Sequence, residues 1–280
     1  MMKSRAFKQV DVFTAVPLFG NPVAVILDAS GLDDRTMQQI AQWTNLSETT
    51  FVTAATAPGA DYAVRIFTPR AELPFAGHPT LGTAHAVLEA GLAMPKAGIL
   101  TQQCAVGLVE VNTLGKTLSF RLPTYRFESA PPGIADAIGG GHLLKSAPEI
   151  VNVGPRWVIA ELISNRAVET LTPDLAALVA YDRAEGTTGL TVFAVGGAGD
   201  IIVRSFAPAD SIAEDPVCGS GNGAVAAFRL KYGQIEDGSA YLASQGRQVG
   251  RDGKVRIHVT GSDIHVGGDC VTCVDGTFTL

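Results

Sequence analysis

Two short segments of this 280-residue chain carry apolar or small side chains on every side. Residues 79–88 read PTLGTAHAVL, and residues 223–228 read GAVAAF. A helix without a polar face has to be buried all round. Elsewhere the chain alternates mainly as strands do, so the sequence predicts two helices, each wrapped by a sheet.

The segments that lead into these two helices repeat one another. Arg65-x-Phe67-x-Pro69 precedes the first helix and Arg204-x-Phe206-x-Pro208 the second. Pro74-Phe-Ala-Gly77 and Pro216-Val-Cys-Gly219 follow, with a three-residue insertion in the second copy. Because several elements recur in register, we predict an internal duplication with strand, helix and strand upstream of the motif in each half.

The alternation of apolar and polar residues places most of the strands. Residues 117–122 and 254–259 alternate most cleanly, and 33–43 and 173–179 have helical spacing instead. The stretch 131–148 is rich in Pro, Gly and Ala, and we predict that it connects the two halves. Weaker strand candidates are 10–13, 22–27, 62–67, 108–112, 157–163, 190–195 and 201–206.

Composition excludes several classes of function. The net charge is −6 and the basic residues are scattered, so no nucleic-acid partner is expected. No apolar run reaches the roughly 18 residues of a membrane span, and the polar first 13 residues do not read as a secretory leader, so we expect a cytoplasmic protein. The four cysteines are too sparse for a disulfide framework. We interpret Cys270 and Cys273 as strand residues and expect no metal site.

Both predicted helix starts carry residues that suit a bound anion. We predict that Gly77 and His78 precede the first helix, with Pro79 at its first position, and that Gly219 and Ser220 precede the second. Glycine lets a ligand approach the backbone, and the free N–H groups of a helix start favour a carboxylate by roughly 0.3–2 kcal/mol. Ordinary capping without a ligand is the alternative.

Three ionisable groups could serve such a site: Glu48, His78 and Asp215. Glu48 lies where a loop enters a strand and also fits a solvated carboxylate, while His78 also fits a simple cap. Residue types alone therefore leave open which acid acts.

Several strings resemble the PhzF-like phenazine-biosynthesis family of isomerases. They run in the family's order through nearly the whole chain, and 72–79, ELPFAGHP, is the most specific; the others are 12–25, 45–51, 65–69 and 214–220. The resemblance implies an α+β, diaminopimelate epimerase-like fold of two pseudo-symmetric lobes, each with a curled sheet around a central helix. We expect the lobes at 1–125, completed by a strand at about 270–280, and at 145–268, with the active site between them.

The resemblance also implies roles for single residues. Glu48 matches the family's acid/base, which takes a proton from one substrate carbon and returns it at another, without a cofactor or a metal. Gly77 and Gly219 supply backbone at the helix starts. The residues that match substrate-binding positions are Asn21, His78, Asp215 and Ser220. The substrate expected is a small carboxylate-bearing metabolite, and a homodimer is possible.

Cys218 departs from the phenazine enzyme, which has no cysteine there. Racemases and epimerases of the superfamily use two opposed thiols, but the partner position here is Ala76, which excludes that mechanism. Cys218 then reads as a small buried filler, with a secondary acid/base role beside Glu48 as the alternative. The alternative functions are a racemase, epimerase or dehydratase that uses Cys218, and a non-catalytic metabolite-binding protein.

Overall fold

The computed structural model describes residues 3–113, 115, 117–197 and 199–280. The chain divides into two compact units. Met1–Phe120 and Gly267–Leu280 form the first unit, and Arg121–Val266 form the second. No helix among the described residues is long and apolar enough to cross a membrane.

The first unit is one mixed sheet with two helices. Its elements are β1 (Ser4–Val12), β2 (Asn21–Ile26), α1 (Asp34–Thr44), β3 (Glu48–Thr53), β4 (Tyr62–Phe67), β5 (Glu72–Leu73), α2 (Gly77–Glu89), β6 (Ile99–Cys104), β7 (Gly107–Asn112), β8 (Leu118–Arg121) and β18 (Cys270–Thr279). β1 lies antiparallel to β18 and to β2, and β2 is parallel to β3. β3 is antiparallel to β4, which pairs antiparallel with β5 and parallel with β6, and β6 continues antiparallel through β7 to β8.

The second unit repeats this pairing pattern. Its elements are β9 (Arg126–Ser129), α3 (Ile134–Ala137), β10 (Glu149–Asn152), β11 (Arg156–Glu161), α4 (Asn165–Thr170), α5 (Leu175–Glu185), β12 (Gly189–Val195), β13 (Ile201–Ala207), β14 (Ile212–Asp215), α6 (Gly219–Lys231), β15 (Ala240–Gln245), β16 (Gly253–Thr260) and β17 (Asp263–Gly268), with 3₁₀ turns at Gly141–Leu143, Pro208–Asp210 and Arg247–Val249. β10 lies antiparallel to β9 and β11, and β11 is parallel to β12. β12 is antiparallel to β13, which pairs antiparallel with β14 and parallel with β15.

The repeated Arg-x-Phe motif makes the same contacts in both units, which confirms the duplication. Arg65 lies 5.1 Å from the centroid of the Phe67 ring, and Arg204 lies 4.9 Å from that of Phe206. Each arginine also binds a glutamate of the short strand that follows, Glu72 in the first unit and Glu214 in the second. The motif thus ties β4 to β5 and β13 to β14.

The central helices α2 and α6 are buried along almost their whole length, as their composition predicts. α2 packs against β1, β2, β3, β6, β7 and β18, and α6 against β10, β11, β12 and β16. Glycine lets α2 approach the sheet closely, since a Cβ on Gly82 would lie 2.3 Å from Val23 Cγ1. Both helices begin earlier and end later than the apolar runs in the sequence.

One stretch differs from its prediction. Residues 131–148 lie inside the second unit instead of connecting the units, because the chain passes from one to the other after Phe120. Ile134, Ala137 and Ile138 are buried in the hydrophobic core of that unit, against α5 and the sheet. The Pro and Gly content of the stretch reflects its turns, while three apolar side chains fix it to the core.

Candidate active site

A carboxyl group, an imidazole and an amide meet at one end of the first unit. Asn21 begins β2 and Glu48 begins β3, and since these strands are parallel, both side chains lie at the same edge of the sheet. His78 belongs to the first turn of α2. His78 Nε2 lies 3.4 Å from Glu48 Oε2, and His78 Nδ1 lies 3.5 Å from Asn21 Nδ2.

Burial changes the acidity of Glu48. Its side chain is 14% exposed, and Oε2 is buried and accepts no hydrogen bond from the described part of the chain. Loss of hydration disfavours the carboxylate and raises the pKa to about 7, although a hydrogen bond from the Ser47 side chain opposes the shift. A carboxyl group with this pKa is present in both protonation states near neutrality, so it can accept and return a proton. The alternative of a solvated loop carboxylate is wrong.

The start of α2 differs from its prediction. The first helical residue is Gly77, and Ala76 is the N-cap residue without a side-chain hydrogen bond. His78 and Pro79 therefore lie inside the first turn. Proline is tolerated there because the first N–H groups of a helix have no partner within the helix.

Packing explains the glycine at this helix start. A Cβ on Gly77 would lie 2.7 Å from Cζ of Phe120, so a larger residue would displace the ring or the helix. We had predicted that glycine serves the approach of a ligand, but this contact within the unit already requires it.

The start of α6 in the second unit brings together the other predicted residues. Cys218 is the N-cap residue, and Gly219 and Ser220 open the helix. Ser220 was predicted as the cap, but its hydroxyl oxygen accepts a hydrogen bond from Trp157 Nε1 at 2.9 Å instead. Asp215 Oδ1 accepts one from the backbone N–H of Val217 at 3.0 Å, which holds the turn that leads into the helix.

Cys218 has a capping contact that the sequence did not predict. Its sulfur accepts a hydrogen bond from the N–H of Gly221 at 3.2 Å. Burial, with the nearby charge of Asp215 as a smaller cause, raises the pKa of the thiol well above 9. Burial therefore favours the neutral thiol, in agreement with the interpretation of Cys218 as a small buried residue, and its secondary acid/base role stays a prediction.

We expect Cys218→Ala to keep the turnover of the wild type and to lower the free energy of unfolding by about 1 kcal/mol, the usual cost of losing an N-cap. Steady-state kinetics and urea unfolding measure the two effects. Abolished turnover in a folded Cys218→Ala variant would support the alternative that uses this thiol as an acid/base.

A buried amide contact behind the α6 start escaped the sequence analysis. Asn222 Nδ2 donates to the backbone oxygen of Cys218 at 2.9 Å and to Gln245 Oε1 at 2.8 Å. Gln245 Nε2 in turn donates to the backbone oxygen of Asp215 at 3.0 Å.

The first unit has a counterpart of this contact, since Gln102 Nε2 donates to Thr80 Oγ1 at 3.0 Å. Thr80 and Asn222 each lie three residues after the first residue of their helix, Gly77 or Gly219, so they occupy equivalent positions. The internal duplication could therefore have predicted these contacts from the sequence.

The second unit has no carboxyl group at the position of Glu48. The strand register aligns Glu48 with Gly189. The residue after Glu48 pairs with Phe67 in β4, and the residue after Gly189 pairs with Phe206 in β13. Phe67 and Phe206 are equivalent residues of the repeated Arg-x-Phe motif. A Cβ on Gly189 would lie 2.0 Å from the backbone oxygen of Phe206. Of these two aligned positions, only the one in the first unit carries a carboxyl group.

Comparison with solved structures identifies the class of fold. A PhzF-family phenazine biosynthesis protein from Bacillus anthracis superposes with a TM-score of 0.88 over 99% of this chain and 100% of its own, at 24% identity. A hydroxyproline epimerase from Agrobacterium vitis superposes with a TM-score of 0.70 over 99% and 93%, at 13% identity. The protein has the diaminopimelate epimerase-like α+β fold.

Sequence relatives define the family. The family model described as phenazine biosynthesis-like protein matches residues 10–276. Antisense-enhancing sequence 1 of Schizosaccharomyces pombe is 39% identical, over 98% of this chain and 99% of its own. Trans-2,3-dihydro-3-hydroxyanthranilate isomerase of Pseudomonas fluorescens is 35% identical, over 97% and 98%. The chain belongs to the PhzC-PhzF family of phenazine biosynthesis-like isomerases.

Proposed function

We propose that this protein is a cofactor-independent isomerase that shifts a proton on a small carboxylate-bearing metabolite. The observation that carries the proposal is the buried carboxyl group of Glu48, with its pKa of about 7 and His78 Nε2 at 3.4 Å. The relative from Pseudomonas fluorescens, an isomerase of trans-2,3-dihydro-3-hydroxyanthranilate, supports a substrate of this class.

The proposed reaction needs one group that works first as a base and then as an acid. The carboxylate of Glu48 takes a proton from one substrate carbon, the electrons of that C–H bond shift the double bond, and the glutamic acid returns the proton to another carbon. Atoms and electrons balance within the substrate, and Glu48 ends in its starting state. General acid–base catalysis of this kind contributes about 10²–10⁴ in rate.

We assign substrate binding to the remaining predicted residues. His78 contacts Glu48 directly, and Asn21 lies beside His78, so both suit orientation of the reacting groups. Asp215 and Ser220 lie at the start of α6 with Gly219, as Gly77 lies at the start of α2. That both helix starts bind one substrate molecule stays a prediction, as does the homodimer.

Hydrogen exchange with solvent tests the proposal. We expect the enzyme, in D₂O with a chelator, to isomerise one member of a panel of small carboxylic acids that includes trans-2,3-dihydro-3-hydroxyanthranilate. Deuterium enters the carbon that receives the proton in those turnovers in which the Glu48 carboxyl group exchanges with D₂O before it returns the proton; in the others the substrate's own proton is returned. Mass spectrometry and NMR read the position of the label. Isomerisation that is lost in Cys218→Ala and kept in Glu48→Gln would contradict the proposal, and a panel that binds without isomerisation or exchange would favour a binding protein.

A further inference from the structure

A buried indole fixes the hydroxyl group of Ser220. Trp157 lies in β11 and is 3% exposed, and its Nε1 donates to Ser220 Oγ at 2.9 Å. An indole N–H is only a donor, so Ser220 has to act as the acceptor in this contact. A serine hydroxyl still carries one proton of its own, which the indole cannot take.

The surroundings of Ser220 leave a limited choice for that proton. Cys218 Sγ lies 3.5 Å from Ser220 Oγ, but this sulfur is a weak acceptor and already receives the N–H of Gly221. Ser220 is half-buried, in contrast to the fully buried Cys218 and Gly219. Its hydroxyl group therefore suits donation to an acceptor oxygen outside the protein.

The first unit has a comparable contact, made from a different position on the corresponding strand. His78 and Ser220 are both the second residue of their central helix. Asn21 at the start of β2 lies beside His78, as Trp157 of β11 lies beside Ser220. β2 is parallel to β3, the strand of Glu48, and β11 is parallel to β12, the corresponding strand of the second unit. In each unit this parallel strand supplies a polar contact to the second residue of the central helix.

We propose that Trp157 is a positioning residue, which holds the Ser220 hydroxyl group as a hydrogen-bond donor to a carboxylate oxygen of the substrate. This inference rests on the proposed function, because it takes Ser220 as a substrate-binding residue. The indole does not touch the substrate in this account and acts only through Ser220.

A double-mutant cycle with Trp157→Phe and Ser220→Ala tests the inference. We expect each single variant to raise KM about tenfold, the usual scale for one hydrogen bond to a charged group, and to leave kcat within about twofold. The double variant should have the KM of Ser220→Ala alone, since Trp157 has nothing left to position. A purely structural role of the indole would instead lower the amount of active protein without this shared change in KM.

Three outcomes overturn the proposal: a wild-type KM in folded Trp157→Phe, a wild-type KM in Ser220→Ala, or multiplied effects in the double variant. If Trp157→Phe does not fold, 3-benzothienylalanine at position 157 keeps the bicyclic ring and replaces the N–H with sulfur, and the same cycle is measured with it. The proposed function fails separately, when Glu48→Gln keeps its turnover. The cycle reports on KM in either case.

Discussion

Glu48→Gln is expected to lower kcat by about 10²–10⁴, which corresponds to roughly 3–5 kcal/mol of barrier. The amide has nearly the shape of the carboxyl group and fits the same buried position beside His78, but it cannot accept a proton from carbon. Steady-state kinetics on an acid that the wild type isomerises, together with the deuterium label, measures the loss. KM should change less than kcat, because the glutamine keeps the contacts of the side chain.

Glu110→Gln is the matched control for this variant. Glu110 lies on β7 with an exposed side chain, so its replacement removes one carboxylate without changing the buried group. We expect wild-type kinetics from it. A folded Glu48→Gln enzyme that turned over as fast as Glu110→Gln would exclude Glu48 as the acid/base.

The two copies of the arginine–glutamate pair should differ widely in their contribution to stability. Arg204 and Glu214 have side chains 7% and 9% exposed, and Arg204 also donates to the backbone oxygens of Val168 and Leu171. Glu214→Ala leaves a buried guanidinium without its carboxylate. We expect a loss of about 3–5 kcal/mol in the free energy of unfolding.

Glu72→Ala, in the first copy, is the internal control. Arg65 and Glu72 are 32% and 37% exposed, and Arg65 keeps a second partner in Asp34. Water and the remaining carboxylate limit the expected loss to about 0.2–1 kcal/mol. Urea unfolding of both variants measures the difference, and equal losses would show that burial does not decide the strength of the pair.

The sequence predicted the parts of the fold that leave a repeated motif or a regular spacing of apolar residues in it. The repeated Arg-x-Phe motif and the two apolar segments predicted the duplication and the buried helices, and the alternation around Phe120 and Ile257 predicted two strands. The prediction that 131–148 connects the two halves failed, because Pro and Gly indicate turns but do not show whether the apolar residues between them reach a core. The helix starts at Gly77 and Gly219 lie earlier than predicted because the cap depends on the backbone conformation of the residue before them.

For the site, residue types identified the candidates, but only packing distinguishes them. The resemblance to the family indicated Glu48, and the burial of its side chain supports that proposal, since a loop carboxylate in water would keep a pKa near 4.5. Trp157 and Gln245 were missed because their polar contacts form between distant parts of the chain. In a single sequence, each reads as an ordinary strand residue.

The most direct test of the account is the titration of the Glu48 carboxyl group. NMR of protein with ¹³C-labelled glutamate, assigned by the signal that Glu48→Gln removes, follows its protonation between pH 4 and pH 9. We predict a midpoint at about 7, with the group neutral below it and ionised above it. A midpoint near 4.5 would mean that water reaches this carboxylate, and the glutamate could then not serve as the proton carrier described here.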